Sequence, residues 1–335
     1  MRIAVTGGAG YIGSHVALAL LQEGHEVIII DNLSNSSALS LQRISLLAGR
    51  SAVFYQTDIR DSEALRRILR QHQVEALLHF AGLKSVGASV SDPLSYYDNN
   101  VQGSLRLLQV LQELDLRQLI FSSSATVYGP QQAAPFAEDA ALAPSNPYGH
   151  SKLMVEQMLR DLCAADARWR VAILRYFNPA GAHPSGLIGE VPRGIPNNLM
   201  PYALGVLSGR YPQLRIFGQD YPTPDGTGVR DYIHVMDLSS GHVAALRQLQ
   251  HRAGCHVFNL GTGRPYSVLD VVDAFQKVSG RALPYVLLPR RPGDVAASYA
   301  DPRLAEQALA WRAERSLEMM CADAWNFTEH NPDGY

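Results

Sequence analysis

The run Arg2-Ile3-Ala4-Val5-Thr6-Gly7-Gly8-Ala9-Gly10-Tyr11-Ile12-Gly13 decides how the rest of the chain is read. Arg2 to Thr6 has the apolar character of a short buried strand, and Val16, Leu18, Leu20 and Leu21 continue past the glycines as a helix. Strand, glycine turn, helix is the setting in which a G-x-G-x-x-G spacing acquires physical meaning. Gly8, Gly10 and Gly13 carry that spacing; Gly7, Gly10 and Gly13 carry the wider G-x-x-G-x-x-G. Such glycines allow a tight turn, a close backbone approach to a pyrophosphate and close helix packing, with the helix N-terminus facing the phosphates. A plain glycine-rich turn is the competing reading, and the flanking strand and helix weigh against it. The expected fold is α/β, a doubly wound parallel sheet of Rossmann type.

Outward from this turn the strand–helix alternation continues. Glu26 to Ile30 reads as a second buried strand ending at Asp31, 18 residues past Gly13. A carboxylate at that distance accepts from adenosine ribose hydroxyls and repels a 2′-phosphate, which favours NAD over NADP; the competing reading is a strand-end turn residue. Ala52 to Thr57 is a strand leading to Asp58-Ile59, placed to flank an adenine, and Ser62 to His72 is a capped amphipathic helix. Glu75 to Phe80 is the fourth strand; Ala81-Gly82 admits close backbone approach, with Lys84 in the loop beyond. A long helical pattern from Pro93 to Leu114 carries Asn99, which reads equally as a satisfied core amide or a cofactor contact. Arg117 to Ser122 is the fifth strand, and Ser122-Ser123-Ser124 falls at the carboxyl edge where open α/β sheets bind ligands.

Tyr148 and Lys152 stand four apart on a helix that Pro147 opens and that runs to about Asp166. Lowering a phenol pKa from about 10 to neutrality takes roughly 3 units, about 4 kcal/mol. One cation about 4 Å away at an effective dielectric of about 20 supplies roughly that much. Lys152 alone is therefore expected nearly to activate Tyr148 as a base, with a cationic cofactor ring completing the shift. Ser124 is expected to share the substrate hydroxyl's hydrogen bond.

Val171 to Phe177 is the sixth strand. Beyond Asn178 the alternation loosens, so residues 1–178 are read as the NAD-binding unit and 179–335 mainly as a smaller substrate lobe, with returns to the first near 237–263. Two units suit 335 residues. In the second lobe Asn197 to Leu207, Asp237 to Leu249, Ser267 to Val278 and Leu317 to Phe327 read as helices, and Leu214 to Phe217 and Val257 to Leu260 as strands. A net charge of −2 with mixed signs argues against nucleic acid or a membrane surface as partner. No apolar run approaches the roughly 18 residues of a membrane span, and the first residues lead into the glycine turn instead of a signal peptide, so a cytoplasmic location is expected. Cys163, Cys255 and Cys321 form no C-x-x-C pair, and the eleven histidines show no ligand spacing; no metal is expected.

On these motifs the chain resembles the extended short-chain dehydrogenases/reductases and, within them, the UDP-glucose (UDP-galactose) 4-epimerases. The resemblance rests on the glycine turn, on His79-Phe80-Ala81-Gly82-Leu83-Lys84, Tyr96-Tyr97-Asp98-Asn99-Asn100 and Ser122 to Gly129, and on Tyr148/Lys152. Arg175 to Pro179 and Asp225 to Tyr232 complete it. It implies that Gly7, Gly10, Tyr11, Ile12, Gly13, Asp31, Asn32, Asn35, Ser36, Asp58 and Ile59 hold NAD. Phe80, Ala81, Gly82, Lys84, Asn99, Ser122, Tyr148, Lys152 and Phe177 would join them. It further implies that Ser124, Tyr148, Asn178, Asn198, Leu199, Phe217, Arg230, Tyr232, Arg291, Asp294 and Ser298 contact a UDP-sugar. NAD would be regenerated each turnover and remain bound, and the molecule would be a homodimer through the helices near 93–114 and 148–166. Bulk at the position of Ser298 is associated in the family with exclusion of N-acetylhexosamines, so serine implies that UDP-GlcNAc and UDP-GalNAc are accepted too. A 4,6-dehydratase would need an acid just after the serines, where Ala125-Thr126 stand. An NADH-consuming reductase shares the core motif, since fold does not fix function, and the UDP-directed residues of the second lobe weigh against it. A regulator that binds NAD without catalysis would have no need of Tyr148, Lys152 and Ser124, and all three stand.

Overall fold

The computed structural model describes residues 1–130, 133–291 and 294–335. The chain opens with β1 (Arg2–Thr6), α1 (Tyr11–Gln22), β2 (Glu26–Asp31), α2 (Leu39–Ala48), β3 (Val53–Gln56), α3 (Ser62–Gln71) and β4 (Ala76–His79). Then come α4 (Val86–Ser91), α5 (Pro93–Tyr96), a π-helical turn (Tyr97–Gln102), α6 (Gly103–Glu113), β5 (Gln118–Ser124), α7 (Pro147–Ala165) and β6 (Arg170–Tyr176). The remainder holds β7 (Asn178–Ala180), α8 (Leu199–Leu207), β8 (Leu214–Phe217), β9 (Val229–His234), α9 (Val235–Leu249) and β10 (Gly254–Leu260). It closes with β11 (Pro265–Ser267), α10 (Val268–Ser279), β12 (Tyr285–Leu288), β13 (Ala297–Ser298), α11 (Arg303–Leu309) and α12 (Leu317–His330).

Strand alternation builds the two layers of the Rossmann-type α/β fold. Ile3 and Val5 of β1 pack on one face with Val16 and Leu20 of α1 and Leu246 of α9. Ala4, with Ile28 and Ile30 of β2, meets Leu65, Leu107 and Leu159 of α3, α6 and α7 on the other. Buried on both faces, the strands pair in parallel in the order β10-β6-β5-β4-β1-β2-β3. The order of strand succession reverses between β1 and β4, with β2 and β3 on one side and β4 to β6 on the other, so a crevice opens beyond Thr6 and His79. α9 lies beside α1 and β10 pairs with β6 from Gly254–Arg170 to Leu260–Tyr176, which brings later chain back to this sheet.

A small sheet, β11-β9-β13 with β7 also on β9, and a two-stranded β8–β12 sheet stand beside α8, α10 and α12. Met200, Ile216, Tyr232, Phe275, Met320 and Trp325 fill the core between them. Two differences from the sequence reading have clear causes. β5 runs through Ser124 because all three serines pair with Leu174, Arg175 and Tyr176 of β6. β9 is a strand although it carries Arg230 and Asp231. The buried Asp231 carboxylate accepts from Thr262 N and Oγ1, Gly263 N and Ala300 N, which offsets its desolvation. Among the described residues no helix is long and apolar enough to cross a membrane.

Candidate active site

The glycine turn leaves no room for side chains. Gly7 has φ +71°, and a Cβ there would lie 2.6 Å from Ala81 N; at Gly13 it would lie 2.2 Å from Gly7 O. Gly10 occupies the N-cap of α1 with no side-chain hydrogen bond, and no acidic residue stands in the first turn. The leading amides of α1 are therefore open to an anion, as a pyrophosphate requires. Tyr11 is anchored beside the turn by its hydroxyl, which donates to Gly181 O at 2.7 Å.

Asp31, buried at the end of β2, accepts from Ala9 N at 3.0 Å through Oδ2 and from Leu33 N and Ser36 Oγ at 2.9 and 2.8 Å through Oδ1. A carboxylate has about four acceptor positions, so one remains for a ribose hydroxyl. Asn32 donates to Asp58, whose carboxyl the Arg60 hydrogen bonds hold well below its usual range. Ile59 is buried under Gly103, Asn35 is exposed, and Phe80 lies beside His242 with centroids 4.9 Å apart. Lys84 is held by Glu190 at 2.6 Å. A carboxylate with a spare acceptor at this strand end suits a dinucleotide with a free ribose 2′-hydroxyl.

At the other side of the crevice α7 begins at Asn146, whose side chain accepts from Gly149 N at 2.9 Å, with Pro147 next. Lys152 is buried; its Nζ donates to Ser122 O at 2.7 Å and lies 5.9 Å from the Tyr148 ring centroid and 4.9 Å from that of Phe121. Ser124 Oγ accepts from Thr126 N at 3.2 Å and Thr126 Oγ1 at 3.0 Å. With its lone pairs engaged, Ser124 has one proton left to donate, toward the Tyr148 oxygen, where it favours the phenolate, or toward a hydroxyl bound in front of both.

The expectation that Lys152 alone nearly activates Tyr148 is corrected by burial. Desolvation pushes the Tyr148 phenol up to about 12, and Ser124 offsets only part of that. Burial also draws the Lys152 ammonium down to about 8, resisted by Glu156 one turn on. The distance to neutrality is thus about 5 units, roughly 7 kcal/mol, more than a single cation supplies.

Two parts of this corner escaped sequence reasoning. Thr126 registers in the sequence only as a residue that cannot be a base, yet it orients Ser124. Asn100 sits in the π-helical turn, a feature often found at functional sites. Its Oδ1 accepts from Leu83 N at 2.8 Å and Asn99 Nδ2 at 2.9 Å; its Nδ2 donates to Leu83 O at 3.0 Å and Ser151 Oγ at 3.1 Å. It ties the loop carrying Gly82 to the helix carrying Lys152. The adjacent pair Asn99-Asn100 was the available signal. Phe177, at the end of β6, is buried near the Tyr128 ring.

The small sheet gathers several of the remaining residues. Asn178 is in register with Tyr232, and Ser298 with Arg230. Arg230 donates to Val229 O and Val295 O at 2.8 and 3.0 Å. Arg291 lies over the Phe217 ring at 4.7 Å and pairs with Asp294 at 2.9 Å. Asn198 and Leu199 open α8, joined to this cluster by no hydrogen bond or ion pair among the described residues. Tyr221, which no sequence pattern singled out, lies under Arg290 at 4.2 Å with its hydroxyl buried and unpartnered.

Known proteins match this architecture over its whole length. Residues 3–261 match the model of the NAD dependent epimerase/dehydratase family. The chain is 54% identical over all 335 residues to a UDP-glucose 4-epimerase of Bacillus subtilis, of which it covers 99%. It is similar to the crystal structure of UDP-glucose-4-epimerase from Stenotrophomonas maltophila with bound NAD and formylated UDP-arabinopyranose, with TM-score 0.97, 49% identity and 99% of both chains covered. The UDP-glucose 4-epimerase of Bifidobacterium longum in complex with NAD+ and UDP matches with TM-score 0.97 and 47% identity over the full length of both.

Proposed function

The chain belongs to the NAD dependent epimerase/dehydratase family, and within it we propose that the protein interconverts UDP-glucose and UDP-galactose at C4 with NAD as resident cofactor. The observation that carries this reading is a glycine turn with no room for a Cβ at Gly7 or Gly13 and a Tyr148–Ser124–Lys152 corner on one sheet edge, in a chain that 4-epimerases match end to end. When bound, NAD supplies a hydride acceptor for the sugar C4 and a ring that carries positive charge. Tyr148, as phenolate, takes the 4-hydroxyl proton and later returns it. Ser124 holds that hydroxyl in line, donating the proton its Thr126 contacts leave free. Lys152, its Nζ 5.9 Å from the Tyr148 ring centroid, provides one positive charge beside the phenol, and the bound cofactor ring would provide a second. Arg230 and Arg291 grip the diphosphate, for which guanidinium forks are suited. Asn178, Asn198, Leu199, Phe217, Tyr232 and Asp294 complete the nucleotide contacts.

Two finer readings belong here. Ser298 removes a ring's volume from the position alongside Arg230, so UDP-GlcNAc and UDP-GalNAc are substrates too. The protein acts as a homodimer: Val86, Val90, Leu94, Leu105 and Met154 expose apolar side chains on α4 to α7, and Leu94 is 78% exposed. A cytoplasmic location suits three free cysteines. Purified protein given UDP-galactose and no added cofactor should form UDP-glucose to equilibrium, and UDP-GalNAc should also turn over. Failure on the first overturns the function; failure on the second alone overturns the reading of Ser298.

A further inference from the structure

The stretch 189–197 has no regular secondary structure, and none of its residues has a part in the proposed chemistry. Its polar side chains nevertheless reach across the carboxyl edge of the large sheet. Arg193 donates from Nη1 to Ser34 O at 2.7 Å and from Nη2 to Ser36 O at 2.8 Å. Both carbonyls belong to the loop after β2, where Ser36 also bonds Asp31. Glu190 takes Lys84 Nζ at 2.6 Å, and its charge helps to raise the Tyr11 phenol, so it stands beside the glycine turn as well. Asn197 Nδ2 donates to Ser85 Oγ at 3.2 Å. Lys84 and Ser85 follow β4. In the sheet, β4 and β2 are the two neighbours of β1. A segment bonded to the loops after both therefore crosses the turn after β1, which is the glycine turn.

The two ends of this segment differ in strength. Its base is anchored by Arg43, which donates to Leu187 O at 2.6 Å, by Asn331, which donates to Gly186 O at 2.8 Å, and by Tyr335, which donates to Gly189 O at 3.1 Å. Its far side is held by exposed groups: Arg193 and Asn197 are open to water. Hydrogen bonds between exposed groups compete with water and open readily. Pro192 and Pro196 stiffen the stretch between.

We propose that residues 190–197 form a strap that retains NAD in its crevice between turnovers, with Arg193 as the clasp. The proposal rests on the reading that NAD is resident. A dinucleotide whose phosphates meet the N-terminus of α1 lies beneath the strap. It leaves only when Arg193 parts from Ser34 and Ser36 and Glu190 parts from Lys84. An enzyme that restores its cofactor in every turnover is silenced whenever the cofactor escapes, so slow release has a use.

The test follows exchange of bound NAD for isotopically labelled NAD in purified holoenzyme, comparing the unaltered protein with Arg193→Ala and Arg193→Lys, with UDP affinity as a control for the fold. Arg193→Ala should exchange about tenfold faster, the factor expected for two exposed charge-assisted hydrogen bonds, and Arg193→Lys should fall between. UDP affinity should stay within about twofold. Exchange in Arg193→Ala at the unaltered protein's rate overturns the strap while leaving resident NAD intact. Faster exchange accompanied by equal loss of UDP affinity overturns it also, as general loosening. Unaltered protein isolated without dinucleotide removes the function reading itself, and the strap with it.

Discussion

The corner around Tyr148 and the arginine cluster of the second lobe are built on opposite plans. At the corner the groups are buried or half-buried and bonded in advance: Lys152 to Ser122, Ser124 to Thr126, Asn100 to Leu83 and Ser151. In the cluster, Arg290 and Arg291 are exposed, lean on Tyr221 and Phe217, and pair with Asp220 and Asp294. Proton transfer needs fixed atoms, whereas a diphosphate can be gripped by charges that exchange one partner for another. On the proposed function, rigidity is placed where bonds change and adaptability where the handle is held.

Four substitutions probe that contrast. Tyr148→Phe should lower kcat by about 10²- to 10⁴-fold with UDP affinity, measured by calorimetry, almost intact; a mild loss reassigns the base. Glu156 and Arg175 form a fully buried ion pair at 2.7 Å behind the corner, and Glu156 also accepts from Ser123 at 2.6 Å. Glu156→Ala should destabilise the protein by about 3–5 kcal/mol in urea unfolding, because Arg175 is left buried and unpaired. A loss as small as that of an exposed pair would mean the corner is less closed than described.

Lys152→Met should move the acid limb of the kcat profile to higher pH, since removing a cation disfavours the phenolate. It also has a stability signature. The folded-state pKa of Lys152 is about 8 against an ordinary 10.5, so between those values the unfolded chain binds more protons and stability rises with pH. That rise, of order 3 kcal/mol, should vanish in Lys152→Met relative to the unaltered protein. Equal pH dependence in both proteins would refute the burial. The smallest effect belongs to the cluster: Arg291→Ala should weaken UDP binding about tenfold while kcat changes less. A larger fall in kcat than in affinity would make the cluster part of the chemistry.

The same contrast sets what can be read from the chain alone. The glycine turn and the Tyr148/Lys152 spacing are local, and helix period and backbone sterics give them one meaning. The Tyr148 phenol is different, because its pKa depends on burial by residues far along the chain, and the spacing suggested the wrong balance. β9 was hidden by Asp231, whose four donors come from Thr262, Gly263 and Ala300. Arg193 carries no signal in the sequence, and only folding sets it against Ser34 and Ser36. Cys163 and Cys255, with no pairing in their spacing, lie on α7 and β10, which fold into contact.

The central claim is that the hydrogen on C4 leaves and returns within one enzyme-bound cycle. UDP-galactose deuterated at C4, turned over by purified protein in ordinary water without added cofactor, tests it directly by mass spectrometry of the UDP-glucose formed. The account predicts product that keeps its deuterium on C4. Deuterium lost to solvent, or turnover only when a soluble oxidant is supplied, would contradict it.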